Sequence, residues 1–410
     1  MPLRYVDDCE EGRFLGRRVI ARFDFNVPLQ NGKIQDSSRI DCALPTIRTL
    51  LEAGVKGLVL MAHLGRPKGR VVEELSLAPI GDYLAQALKE EVILTESCLD
   101  GAISHLLSLP KTKIVLLENL RFHSGETEND PAFAKTLSKY GEIYVNDAFG
   151  ACHREHASTY GINAYFEGRR YGGSLLKREV KSLGLLLGRP PEPFMAVVGG
   201  AKVSGKMAVL KTLLPKVEKL LIGGAMAYPF LKARGLGVGQ GLCSARDVEQ
   251  AAYLLGKDGG NKIEWPSDHL GQRAQAKGEE VKEGQEIPED FTGFDIGPQT
   301  LARYGDILEK ARTIFWNGPL GFFEEEDYRG GTLGMARILA ASKAYTVVGG
   351  GDSVRAVALS GLSKEMDHLS TGGGAALEFI EKGESLPGIR ALKFGPREFS
   401  KTPGKNLSTG

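Results

Sequence analysis

The first half of the chain repeats one pattern. A short apolar run stops abruptly in polar residues or glycine, and a stretch of helical periodicity follows. The apolar runs are residues 19–23, 57–61, 114–117 and 142–145. They end in Asp24-Phe25-Asn26, His63-Leu64-Gly65-Arg66, Glu118-Asn119-Leu120-Arg121 and Asn146-Asp147-Ala148-Phe149-Gly150. Residues 42–53, 78–88 and 131–139 between them carry the spacing of helices. Strand and helix in alternation predict an α/β domain whose parallel sheet is covered on both faces. Ligands of such sheets bind beyond the carboxyl ends of the strands, so the polar tails share one rim.

A helical stretch over 174–187 leads into Gly188-Arg189-Pro190-Pro191-Glu192-Pro193, where proline breaks the pattern and marks a domain boundary. The scheme then returns with apolar runs at 194–198, 220–222, 313–315 and 345–348, now followed by glycine. Their tails hold Gly199-Gly200-Ala201-Lys202, Gly223-Gly224, Asn317-Gly318-Pro319 and Gly349-Gly350-Gly351-Asp352-Ser353. Residues 257–287 read as a polar surface excursion with some antiparallel strand, and the tail after Leu386 carries no helix signal. The stretch Ser370-Thr371-Gly372-Gly373-Gly374 precedes an expected helix at 375–380, so free N–H groups and the positive helix end point at one spot.

Composition narrows the class. The 410 residues exceed one core and imply two domains. A net charge of +1 argues against a nucleic-acid binder. No apolar run reaches membrane-spanning length, and the N-terminus lacks a signal-peptide core. Five scattered cysteines suit free thiols in a reducing compartment, so a cytoplasmic protein is expected.

The first rim gathers Asp24, Asn26, Arg39, His63, Arg66, Arg121 and Arg154, a cationic socket for a small ligand with two anionic ends. Cys152-His153 suggests a thiol nucleophile or zinc, but His153-Arg154-Glu155-His156 lacks the spacing of a zinc helix; a small, half-buried cysteine is the expectation. In the second half, Gly200-Ala201-Lys202-Val203-Ser204-Gly205-Lys206 is followed by Met207, where a true P-loop needs a hydroxyl for magnesium. Lys202 and Lys206 still favour phosphate. Gly223, Gly224 and 349–351 let a nucleotide lie against backbone. Asp352 is the candidate magnesium carboxylate, and Glu324 the candidate partner of ribose hydroxyls.

Taken together, Asp24-Phe25-Asn26-Val27-Pro28, His63-Leu64-Gly65-Arg66-Pro67, Glu118-Asn119-Leu120-Arg121-Phe122 and Asp147-Ala148-Phe149-Gly150 with His153-Arg154 resemble the phosphoglycerate kinase family. Gly200-Ala201-Lys202-Val203, Trp316-Asn317-Gly318-Pro319, the 349–353 stretch and the 370–374 stretch extend the resemblance across essentially the whole chain. It implies two doubly wound, Rossmann-like domains joined by a hinge helix with a ligand cleft between them. Residues 1–186, with a tail 388–410 packing back, bind 3-phosphoglycerate; residues 187–387 bind the nucleotide. The acceptor residues it implies are Asp24, Phe25, Asn26, Arg39, His63, Leu64, Gly65, Arg66, Arg121 and Arg154. The residues for ATP or ADP are Lys202, Lys206, Gly223, Gly224, Asn317, Pro319, Glu324, Gly350, Gly351, Asp352 and Ser353, with Mg2+ on Asp352. Arg39, Lys202, Gly372 and Gly373 are expected to stabilise the moving phosphoryl group. No general base is expected, because the acceptor carboxylate is already ionised. A monomer is expected, with domains that close to exclude water. Gly205, Tyr228-Pro229, Phe322-Phe323 and Cys152 depart from the commoner residues of that family. Two other readings stay open: another two-domain sugar or acid kinase, which needs a base better isolated than Asp24, and a non-catalytic nucleotide sensor.

Overall fold

A computed structural model describes residues 2–109, 112–256, 260–274 and 278–397. The chain forms two compact units, residues up to 180 together with 384 onward, and residues 181–383. The part of the expected tail beyond residue 397 lies outside the described residues, as do parts of the 257–287 excursion.

In the first unit β1 (Arg18–Arg22) is followed by a small hairpin, β2 (Leu29–Gln30) and β3 (Lys33–Ile34). Its turn is Asn31-Gly32, both at positive φ, the chemistry a two-residue hairpin needs. Then come β4 (Gly57–Met61), β5 (Val92–Leu94), β6 (Ile114–Leu116), β7 (Ile143–Asn146) and β8 (Arg170–Gly172). They form one parallel sheet in the order β5-β6-β4-β1-β7-β8. Every residue of β4 is buried, as expected of a central strand covered on both faces. Helix Ser38–Glu52 covers one face through Ile40, Ala43, Ile47 and Leu50, which pack with Val19, Ala21, Leu58 and Leu60 in one core.

The second unit holds β9 (Phe194–Val198), β10 (Lys219–Ile222), β11 (Ile263–Glu264), β12 (Asp268–Arg273), β13 (Glu280–Glu283), β14 (Phe291–Ile296), β15 (Thr313–Asn317), β16 (Tyr345–Gly349) and β17 (His368–Leu369). Its parallel sheet has the order β11-β10-β9-β15-β16-β17. The chain runs outward from β9 on one side and from β15 on the other, so a crevice opens beyond the ends of these two strands. The antiparallel sheet β13-β12-β14 accounts for the polar excursion.

Each of the two parallel sheets has six strands where four apolar runs were expected. The additional ones, β5, β8, β11 and β17, are two or three residues long, too short to carry a periodicity. The tail is also corrected: Pro387–Phe394 is a helix. Pro387 stands in the first turn, where its missing N–H is harmless, and Ile389, Ala391 and Leu392 are buried. Among the described residues no helix is long and apolar enough to cross a membrane.

Candidate functional site

At the carboxyl end of the first sheet, β1 delivers Asp24, Phe25 and Asn26. Phe25 is buried and stacks on Phe23 with ring centroids 5.4 Å apart, which fixes the turn. Asp24 Oδ2 pairs with Arg39 Nη1 at 3.0 Å, and Asp24 Oδ1 accepts from the Asn26 N–H at 3.3 Å. Asn26 Oδ1 in turn accepts from the Gly65 N–H at 2.8 Å, and the Gly65 carbonyl accepts from Arg121 Nη1 at 2.8 Å. Three separate strand ends are thereby tied together. Asn119 closes the knot, holding the Leu64 carbonyl at 2.8 Å and the Leu75 carbonyl at 2.9 Å. Arg66 and Arg154 are exposed, and Arg154 donates to His153 Nε2 at 3.0 Å.

The charge of this rim is cationic, and its inner groups are drawn away from water. Burial and the neighbouring Arg22 lower the Arg121 guanidinium to about 10. Burial, followed by Arg121, Arg22 and Arg154, pushes His156 down to about 3. His63 is also driven well below the ordinary histidine range, by burial first and then by Arg22. Both rings are therefore neutral at pH 7. Arg121 Nε and His156 Nδ1 are buried and have no hydrogen-bond partner among the described residues.

Arg22 was missed in the sequence, where it reads as the interior of an apolar run. It is fully buried, and its Nη2 lies 2.8 Å from His63 Nδ1. An arginine inside the apolar run Val19, Ile20, Ala21 and Phe23 was the available signal, since an unpaired buried cation is costly. Cys152 is fully buried rather than half-buried, and burial raises its thiol pKa to about 12. Such a thiol is no nucleophile at neutral pH.

In the second unit a cavity of about 720 Å³ opens beyond the ends of β9, β15 and β16. Lys206, Gly224, Asn317, Pro319, Glu324, Gly350, Gly351, Asp352, Ser353 and Gly373 all line it. Lys202, Gly223 and Gly372 do not. Helices Gly351–Leu359 and Gly374–Lys382 both begin at its wall, so two sets of free N–H groups face one space. The glycine-rich helix starts one residue earlier than the sequence indicates and runs two residues further.

Glycine is required where these loops meet. A Cβ at Gly199 would sit 2.0 Å from the Pro319 carbonyl oxygen, and one at Gly224, already at φ +67°, would sit 2.8 Å from the Gly200 carbonyl oxygen. Lys206 crosses the same junction, donating to the Gly199 carbonyl at 2.6 Å and the Asn317 carbonyl at 3.0 Å. Burial lowers its ammonium to about 8, against the opposing pull of Asp352. Ser353 Oγ accepts from the Gly318 N–H at 2.5 Å and Asn317 Nδ2 donates to the Gly349 carbonyl at 2.8 Å, which fixes the loops at the cavity wall. The apolar far wall was not assigned to the site from sequence. It includes Leu242, Phe294, Phe322 and Leu377, with Thr292 and Gly293 from β14. Those residues come from segments that no local pattern joins.

Asp352 opens a helix at the cavity wall, and among the described residues no group of three acidic, histidine or cysteine side chains is placed to cage a metal ion. A carboxylate at this position fits magnesium, which takes one or two carboxylates together with substrate phosphates and water.

Comparison with known proteins puts this architecture among the kinases, enzymes that transfer phosphoryl groups. The model of the family described as phosphoglycerate kinase matches residues 7–383. A phosphoglycerate kinase of Anaeromyxobacter dehalogenans is 46% identical over 401 residues, covering 96% of this chain and all of the relative. One from Prosthecochloris aestuarii is 47% identical, covering 92% of this chain and 96% of the relative. The solved phosphoglycerate kinase of Coxiella burnetii superposes with a TM-score of 0.84 at 37% identity, over 96% of this chain and 99% of that one. The chain belongs to the phosphoglycerate kinase family, and its function is that of a glycolytic kinase.

Proposed function

We propose that the chain transfers a phosphoryl group reversibly between ATP and the carboxylate of 3-phosphoglycerate, giving ADP and 1,3-bisphosphoglycerate. The first rim is read as the acceptor site, holding the acid through Asp24, Asn26, Arg39, His63, Arg66, Arg121 and Arg154. The cavity of the second unit is read as the nucleotide site. The observation that carries the reading is the meeting of two helix N-termini and Lys206 at one cavity wall, where a triphosphate finds N–H groups and an ammonium together.

The acceptor needs no activation, because a carboxylate with an ordinary pKa is ionised at pH 7. The work left to the protein is alignment and the stabilisation of charge on the moving oxygens. Arg39 and Lys202 serve that role, with the N–H groups of Gly372 and Gly373, once ligand binding draws Lys202 and Gly372 to the cavity that they do not line here. Asp352 is the residue that would hold Mg2+ together with the nucleotide phosphates, and the ion would supply neutralisation of their charge. Glu324 accepts from the ribose hydroxyls. The five free thiols fit a reducing, cytoplasmic setting, and the protein acts as a monomer.

A coupled assay with ATP tests the acceptor. Turnover with 3-phosphoglycerate, and none with glycerate or hexoses, is the expected outcome. Turnover of a hexose without turnover of 3-phosphoglycerate would refute the assignment.

A further inference from the structure

A histidine at an anion-binding rim acts in opposite senses according to which ring nitrogen holds its proton. At His63 the neighbours decide it. Arg22 is fully buried, and every guanidinium nitrogen is a donor with no capacity to accept. Its Nη2 lies 2.8 Å from His63 Nδ1. Nδ1 must therefore accept, and the proton of the neutral ring must sit on Nε2.

The guanidinium is braced from behind. Its Nη1 donates to the Phe23 carbonyl, and its Nε donates to Ser158 Oγ at 2.9 Å. Ser158 gives its single hydroxyl proton to Glu126 Oε1 at 2.7 Å, and its backbone N–H donates to Glu126 Oε2 at 2.9 Å. Ser158 and Glu126 are both fully buried. Each proton in this chain has one direction: toward Glu126 behind Arg22, and toward His63 Nδ1 in front of it. Glu126 also neutralises the buried cation through one intervening hydroxyl, which explains how an arginine survives inside β1.

We propose that Arg22, held by Ser158 and Glu126, is a positioning residue that locks His63 as the Nε2–H tautomer, and that this N–H donates to an oxygen of the three-carbon acid acceptor. The inference rests on the assignment of the first rim to that acceptor. The charged and titratable groups facing the ring are consistent with a neutral donor. Arg22, Arg121 and Arg39 all oppose an imidazolium there, and His156 beside it is itself neutral. The nearby carboxylates are engaged elsewhere: Asp24 pairs with Arg39, and Glu126 holds Ser158 and lies 3.8 Å from His156. His63 thus contributes direction and not charge, while Arg39, Arg66, Arg121 and Arg154 contribute the charge.

Long-range proton–nitrogen spectra of the full-length protein, with His63 assigned by comparison with His63→Gln, test the lock directly. The expected result is an Nδ1 resonance typical of an unprotonated nitrogen from about pH 6 to 8, with Nε2 shifting when 3-phosphoglycerate is added. An Nδ1–H ring or an imidazolium in that range overturns the lock. An Nε2 resonance that saturating 3-phosphoglycerate leaves unmoved, in protein that turns this acid over, overturns the donation. Failure of the underlying assignment reads differently, as no turnover of 3-phosphoglycerate at all. Arg22→Lys keeps the charge but replaces the planar fork by a point donor. A mixture of tautomers is expected, with KM for 3-phosphoglycerate raised about tenfold and nucleotide KM within about twofold. Wild-type tautomer and wild-type KM in that variant would remove Arg22 from the role.

Discussion

Single residues carry the charge logic of both sites. Arg39 pairs with Asp24 at 3.0 Å while half-exposed, so its guanidinium is oriented but still able to reach a second anion. Arg39→Ala is expected to lower kcat by roughly 100-fold or more, the scale of losing one positioned transition-state donor, with nucleotide KM changed less than about threefold. Steady-state kinetics with each substrate varied decide this; an unchanged kcat removes Arg39 from the reaction. Lys206 gives a pH test. Its ammonium, at about 8 instead of the ordinary 10.5, is charged below that pH and neutral above it. Phosphate attraction is thus present at pH 7 and lost as pH rises through about 8. Nucleotide KM is expected to climb over that window in the wild type. Lys206→Met should show a high, flat KM across the same range; a climb that survives in Lys206→Met assigns the effect elsewhere.

At the level of elements, the rims depend on how helices are started and strands are ended. The first-turn N–H groups of helix Ser174–Leu187 need a cap. Asp147, at the end of β7, supplies one from a distance: its Oδ1 accepts from the Leu176 N–H at 2.9 Å. Thr46 Oγ1 donates to Asp147 Oδ2 at 2.6 Å and accepts from the Ser174 N–H at 2.8 Å. Burial raises the Asp147 carboxyl to about 6, a rise held in check by the Thr46 hydroxyl and the Leu176 N–H. Thr46→Val is expected to cost about 1–3 kcal/mol in a urea melt, because a buried acceptor loses its donor. The sign with pH follows. Losing that donor raises the Asp147 pKa further, so the ionised form suffers most and the deficit is larger at alkaline than at acid pH. An equal deficit at both ends would show that Asp147 is not the group affected. Glycines act at the same scale. Gly199→Ala forces a methyl against the Pro319 carbonyl, and a destabilisation of at least about 1–3 kcal/mol is expected, measured as a lowered Tm.

For the whole molecule, the proposed acceptor rim belongs to one unit and the proposed nucleotide cavity to the other. Phosphoryl transfer is a contact reaction, and water admitted to it would hydrolyse the nucleotide. Binding both ligands should therefore bring the units together, with residues 174–193 as the expected hinge. Solution scattering is expected to give a smaller radius of gyration with both ligands than with either alone. Identical profiles would contradict closure.

How much of this was legible in the linear chain follows from the range of each signal. The alternation of apolar runs and helical stretches gave two α/β halves, because burial of both sheet faces leaves a local mark on every long strand. Short edge strands such as β11 and β17, and the helix Pro387–Phe394, left none, since packing alone supports them. Arginines at strand ends and glycines after strands were visible as types. Sequence by itself determined the kind of chemistry: a cationic rim, and a glycine-lined bay with the lysines Lys202 and Lys206 and the acids Glu324 and Asp352. Only the tertiary structure decided which of these groups share a space. It brought Lys206 across to the Asn317 carbonyl, left Lys202 off the cavity wall, and set β14 residues against the same void. It also buried Arg22 behind His63 and so gave that ring its direction. The physical reason is the same in each case: composition and periodicity report what a residue is, whereas a hydrogen bond or a close backbone approach depends on distances between segments that the chain order does not contain.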